Sequence, residues 1–235
     1  MKLRFEKQRH PFVLMAATDT FKIELMSVKL YIRKVTPSPG VLLGHAQALT
    51  KGTAKFPITR STCSVISVSA GHSSHTEDNM YLGQLPKTLV IGMVEDEAFT
   101  GSCKKNPYHF QSFDLRSLTL TANGMIVPGT PLKLDQTDSA AVCYQTLFYG
   151  LHKLDQDSGS IIKREDWSRG YALLAFDLTP DFSHTDHYSL IDHGKVKLEL
   201  EFSNALTQAI NILVFSQFDN VIEIDKDRNI IFDYS

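Results

Sequence analysis

Histidine and carboxylate side chains cluster at two places where their spacing could bind a metal ion. His72 and His75 are separated by two residues, and a metal site would need at least one further ligand in a closed geometry. The denser cluster holds nitrogen and oxygen donors, namely His184, Asp186, His187, Asp192 and His193. Serine and threonine flank both clusters. We therefore interpret each as a polar loop between strands and predict no metal site.

A calcium loop and a nucleophile pair are the next candidates. The segment from Asp225 to Asn229 resembles the start of a calcium-binding loop, but Ile230 stands where that loop requires glycine. We interpret the segment as a tight turn between strands. Cys143 and His152 could be paired as nucleophile and base, yet any chain with three cysteines and nine histidines offers such pairs.

Other enzyme motifs are missing from the sequence. No G-x-S-x-G, G-x-G-x-x-G or Walker A pattern occurs. Glu199 and Glu201 alternate with apolar residues, so both are expected on the polar face of a strand. We predict a non-enzymatic protein with no catalytic, cofactor-binding or metal-binding residues and no small-molecule substrate.

Composition places the chain among folded proteins. It has 235 residues, 43% of them hydrophobic and 21% charged, whereas disordered chains have fewer apolar residues and more net charge. It contains no apolar run long enough for a membrane span, and charged residues follow Met1 where a secretory signal would be apolar. Cys63, Cys103 and Cys143 form no C-x-x-C pair, so we expect free thiols in a reducing intracellular compartment.

Charge is divided unevenly along the chain. Residues 1–118 carry a net charge of +6 and residues 119–235 a net charge of −8. The basic first half could contact DNA without sequence specificity. Alternatively, the two halves are simply solvated faces, or they dock on each other.

A period of two dominates the hydrophobic pattern. It marks a half-buried strand at Val196–Phe202 and strands at Phe21–Leu25 and Val28–Ile32. Asn123-Gly124 predicts a two-residue hairpin turn. Many short strands with few helices favour a β-sandwich or jelly roll.

Helices are few in this pattern. Ser38-Pro39 predicts the start of a helix over Pro39–Lys51, with Gly52 as its left-handed stop. Asp138–Leu151 is a second candidate, and Lys163–Arg169 a single turn. We predict a domain boundary within Phe99–Phe113.

Four stretches resemble one family over nearly the whole chain. They are Arg33–Arg60, Leu82–Phe110, Arg164–Asp181 and Phe218–Tyr234. Together they resemble the major capsid (hexon-type) protein of Polinton/Maverick transposable elements and adintovirus-like DNA viruses.

The resemblance implies an all-β fold of the double jelly-roll capsid type, with a few short helices. Residues 1–100 would be the later part of a first jelly roll and 101–235 the second, in an amino-terminally truncated copy. Apolar faces of the first part would then lack a partner sheet, with Leu25, Leu30, Ile32, Val65, Val68 and Val90 as candidates for exposure.

The implied function is that of a structural capsid protein in the virion. Three copies would form a homotrimeric capsomer that contacts neighbouring capsid proteins in an icosahedral shell. The helix Pro39–Lys51 and the loops Gly71–Asn79 and His184–His193 are candidate contact regions. The alternative is a domesticated host β-sandwich module, derived from such an element, that binds another partner.

Overall fold

A computed structural model of the chain describes residues 4, 6, 8–18, 21–134, 139–153, 160–180 and 191–232. The helices within these ranges are α1 (His10–Val13), α2 (Pro39–Lys51), α3 (Asp96–Thr100), α4 (Ser139–Gly150) and α5 (Arg164–Trp167). The strands are β1 (Ala54–Val68), β2 (Ser74–Gln84), β3 (Thr88–Glu95), β4 (Leu115–Ala122), β5 (Met125–Lys133), β6 (Leu173–Asp177), β7 (His193–Phe202), β8 (Ile210–Ile224) and β9 (Ile230–Phe232).

These strands form two sheets. One has the order β1-β8-β3-β6, with β9 paired to β8, and the other has the order β2-β7-β4-β5. From β1 to β8 the chain changes sheet after every strand except at the β4–β5 hairpin. Two four-stranded sheets connected in this way are a jelly roll. The predicted fold class, an antiparallel jelly-roll sandwich with a few short helices, is confirmed.

Strands from the ranges 1–100 and 101–235 pair with each other, although the family resemblance implied that these ranges belong to separate jelly rolls. Strand β3 pairs with β6 and β8, and β7 pairs with β2 and β4. Each sheet therefore contains strands from both ranges, and β1 to β8 make one sandwich. The reason is that jelly-roll neighbours are distant in sequence, so no cut near residue 100 leaves either sheet intact.

The chain forms two compact units, but the division between them does not lie near residue 100. The first unit comprises residues 1–22 and 61–218, and the second comprises residues 23–60 and 219–235. The divisions fall inside the two 15-residue strands, β1 and β8.

Alternating side chains build the core of the first unit. In β7, Val196, Leu198 and Leu200 are at most 1% exposed, while the charged residues between them are half-buried or exposed. In β8, Ile210 and Ile212 are fully buried. The period of two puts one side of each strand between the sheets, as the sequence predicted for Val196–Phe202.

Two polar arrangements fix strand ends in the first unit. The β4–β5 turn has φ angles of 50° at Asn123 and 82° at Gly124, so the predicted hairpin is confirmed. The buried Asn211 of β8 accepts a hydrogen bond from Ser67 Oγ at 2.6 Å and donates one to Asp96 Oδ1 at 2.8 Å. Its amide thereby ties β1 and α3 to β8.

Side chains also connect β1 and β8 within the second unit. Thr53 donates a hydrogen bond to Glu223 Oε2 at 2.5 Å, and Lys55 Nζ lies 3.4 Å from Glu223 Oε1. Further along, Arg60 Nε donates to Asn220 Oδ1 at 3.3 Å. The bond from Thr53 is the main cause that lowers the pKa of Glu223.

The structure confirms the predicted positions of three helices but not two of the predicted strands. Helix α2 has the predicted bounds, but Gly52 is extended, with φ −179°, and is not the predicted left-handed stop. Helices α4 and α5 fall within their predicted ranges. The predicted strands Phe21–Leu25 and Val28–Ile32 are wrong, because the structure assigns none of these residues to a strand.

Candidate interaction surface

The two clusters that were considered as metal sites contain residues with structural contacts, where the structure describes them. Nδ1 of the exposed His72 lies 3.1 Å from the Ser69 carbonyl oxygen, and His75 pairs with Leu200 across β2 and β7. No group of three or more candidate metal ligands occurs among the described residues. The part of the denser cluster at 184–187 lies outside the described residues.

The rest of that cluster begins β7. Asp192 Oδ1 accepts a hydrogen bond from the His193 backbone N–H at 2.8 Å, and Asp192 Oδ2 accepts one from Asn123 Nδ2 at 3.4 Å. Asp192 therefore anchors the start of the strand to the β4–β5 turn.

The Asp225–Asn229 segment is the turn between β8 and β9, as predicted. Asp225 accepts hydrogen bonds from the Asn229 backbone N–H at 2.8 Å and from Asn229 Nδ2 at 2.9 Å. These bonds are the main causes that lower the pKa of Asp225. The carboxylate that would begin a calcium loop thus stabilises the turn.

Cys143 is not poised as a nucleophile. It is fully buried in α4, its Sγ donates a weak hydrogen bond to the Lys133 carbonyl at 3.7 Å, and burial raises the pKa of its thiol to about 11. The reactive form of cysteine is the thiolate, which such a pKa disfavours near neutral pH.

The strand carboxylates of β7 lie on its polar face. Glu199 Oε1 is 2.8 Å from Lys197 Nζ, and Glu201 Oε2 accepts a hydrogen bond from Ser117 Oγ at 3.1 Å. Both are surface charges, as the alternation predicted.

A further ion cluster secures α3. Lys105 Nζ lies 2.5 Å from Glu95 Oε2 and 2.8 Å from Glu97 Oε2. Hydrogen bonds to these carboxylates raise the pKa of Lys105 to about 12. The hydrogen bond from Lys105 is the main cause that lowers the pKa of Glu95 and of Glu97. The cluster connects the end of β3 to the segment after α3.

Exposed apolar side chains are concentrated in the second unit. Residues 24–35, here called the apolar segment, contribute seven large apolar residues that are 56–89% exposed. They are Leu25, Met26, Val28, Leu30, Tyr31, Ile32 and Val35. Helix α2 contains no buried residue, and β9 exposes Ile230, Ile231 and Phe232. Exposed apolar residues in such number mark an interaction site in soluble proteins.

Of the six apolar residues that were predicted to be exposed, four are exposed and two are not. Leu25, Leu30, Ile32 and Val65 are 42–65% exposed. Val68 is 3% exposed, and Val90 is half-buried. The last two lie in the sandwich strands β1 and β3, which have partner sheets, whereas three of the exposed residues lie in the apolar segment, which has none in the described part of the chain.

Comparisons with known proteins find one curated relative and several solved structures that are similar to this chain. No family model matches the chain. An uncharacterized protein of Caenorhabditis elegans is 23% identical over 185 residues, which is 76% of this chain and 44% of that protein. The PBCV-1 virus capsid aligns over 78% of this chain and 52% of its own, with 10% identity and a TM-score of 0.46.

Two further solved structures align similarly. The Sputnik virophage structure aligns with 77% of this chain at 12% identity and a TM-score of 0.47. The mavirus major capsid protein aligns with 77% of it at 10% identity and a TM-score of 0.38. The alignments cover 39% and 41% of those chains, so this chain spans about half, or less, of the length of these four proteins. No described helix is both long and apolar enough to span a membrane.

Proposed function

We propose that this protein is a structural capsid protein that associates with copies of itself as a homotrimeric capsomer within an icosahedral shell. The observation that carries the proposal is the exposed apolar surface of the second unit, in a chain whose β1 to β8 form a jelly roll. We assign the protein to the virion and to the Polinton/Maverick and adintovirus-like type, on the sequence resemblance of the four stretches given above.

Energetics support association through the apolar segment. Burying one large apolar side chain contributes about 1.5–3 kcal/mol. Burial of several of the seven residues therefore supplies on the order of 10 kcal/mol, which is comparable to the cost of bringing two proteins together. A second copy is the partner that this proposal commits to.

The positive charge of the apolar segment and of residues 1–118 supports contacts with an acidic protein surface and with DNA. The apolar segment carries Lys29, Arg33 and Lys34 against Glu24, so the surface it meets on another subunit is expected to be acidic. The net charge of +6 on residues 1–118 supports contact with packaged DNA through its phosphates.

The test compares matched charge insertions by size-exclusion chromatography with light scattering. We expect the wild-type chain to elute as a trimer and Leu30→Asp with Ile32→Asp to elute as a monomer. Leu82→Asp is the control, because Leu82 is 79% exposed on β2 of the first unit, and it should remain a trimer.

Two results would contradict the proposal. One is a wild-type monomer at every concentration, which would favour the alternative of a domesticated host module with another partner. The other is equal loss of the trimer in the control, which would show that added charge, and not the apolar segment, controls association.

A further inference from the structure

A largely apolar cavity of about 400 Å³ lies in the first unit, among α4, β5 and β6. Its lining comprises Val127, Pro128, Leu132, Val142, Gln145, Thr146, Tyr149, Ala175, Phe176 and Asp177. Cavities that bind small molecules have volumes of roughly 300–1,000 Å³ and mostly apolar walls with a few polar groups. The cavity has the size and the lining of a ligand site.

The walls of this cavity are held by specific contacts. Thr146 Oγ1 donates a hydrogen bond to the Cys143 carbonyl at 2.6 Å and accepts one from the Ala175 N–H at 3.2 Å. The bond to Ala175 fastens α4 to β6. Because the Thr146 hydroxyl is already used as donor and acceptor, it is not the group that would orient a ligand.

Asp177 supplies a carboxylate to this lining, and its side chain is 7% exposed. Its Oδ1 accepts hydrogen bonds from the Thr179 N–H at 2.9 Å and the Thr179 hydroxyl at 2.7 Å. Its Oδ2 lies 3.7 Å from His152 Nδ1, which is an ion-pair distance but longer than a hydrogen bond. One oxygen of a buried carboxylate can therefore accept a hydrogen bond from a ligand.

We propose that the cavity binds a small apolar molecule that carries one protonated amine. The hydrocarbon part packs against Val127, Leu132 and Phe176, and the amine donates a hydrogen bond to Asp177. A buried carboxylate in apolar surroundings is costly unless it is paired, and a charge-assisted hydrogen bond is about twice as strong as a neutral one. Charge and shape thus select an amine over an alcohol or an acid of the same size.

Three probes of one carbon skeleton test this selectivity by titration calorimetry: 4-phenylbutylamine, 4-phenylbutanol and 4-phenylbutanoate. We expect the amine to bind roughly tenfold more tightly than the alcohol, the difference that one charge-assisted hydrogen bond provides, and the acid to bind least. Asp177→Asn keeps an oxygen for Thr179 and should remove the preference for the amine.

A second pair of variants tests the location without changing the carboxylate. Val142 is 53% exposed in the lining, so Val142→Trp should fill the cavity and abolish amine binding. Val65→Trp is the control, since Val65 is 42% exposed on β1 and outside the lining. Equal affinities for the three probes, binding that survives Val142→Trp, or no binding by the wild type would each overturn the proposal.

Discussion

The end of α4 approaches β6 so closely that a single methyl group should destabilise the fold. A Cβ added at Gly150 would lie 2.4 Å from the Ala175 carbonyl carbon and 2.7 Å from the Phe176 nitrogen. These are backbone atoms, which cannot rotate away as a side chain would. Ordinary contacts begin near 3.4 Å, so the helix end must move by about 1 Å.

The expected magnitude follows from two opposing effects. Overpacking a tight site costs about 1–3 kcal/mol, while glycine to alanine in a helix gains at most about 1 kcal/mol. Gly150→Ala should therefore lower the free energy of unfolding by about 1–2 kcal/mol. Equilibrium urea denaturation at matched protein concentrations would measure this loss.

Gly44→Ala is the matched control. Gly44 lies inside α2, and an added Cβ meets nothing within 4 Å. The helix-propensity gain then acts alone, so this variant should not lower the urea midpoint. The packing argument would be refuted if Gly150→Ala unfolded at the same or a higher urea concentration than the wild type.

Three further predictions concern the core, the ion cluster and the thiols. Leu198→Ala should reduce the free energy of unfolding by about 2–5 kcal/mol, because the side chain is fully buried in β7; a loss under 1 kcal/mol in urea denaturation would contradict the assigned core. The lowered pKa of Glu95 means that its contact with Lys105 contributes stability above pH 4.5, which is lost as the pH falls through the lower folded-state pKa. Lys105→Met should weaken this acid-side loss in melting curves, and an unchanged pH profile would count against it. In native protein at pH 8, a thiol reagent should modify the exposed Cys63 well before Cys143, whereas equal rates by mass spectrometry would show that α4 opens readily.

Local patterns predicted individual elements well. The Pro39 start of α2, the Asn123-Gly124 turn and the alternation of β7 each depend on residues adjacent in sequence. The order of strands in the sheets depends on distant partners, as the bond between Ser67 and Asn211 illustrates. A hydrophobic pattern carries no information about which distant strand is the neighbour. The assignment of residues 1–100 and 101–235 to separate jelly rolls was implied by the family resemblance, and it did not anticipate this pairing.

The conformation of residues 21–32 and the position of Asp177 beside the cavity could not be predicted from the sequence. The period of two in residues 21–32 predicted strands, but a strand also requires a ladder of hydrogen bonds to a neighbouring strand, and residues 21–32 lie in no strand. Asp177 ends β6, whose other residues are all apolar, and nothing in that sequence shows that its carboxylate borders a cavity. A lone charge at the end of a buried strand was the one available signal.

Sedimentation equilibrium of the purified chain over a wide dilution series tests the central claim, self-association as a capsid protein, most directly. The proposal predicts a mass of three times the 26.4 kDa chain that persists on dilution. A mass of 26.4 kDa throughout the series would contradict it.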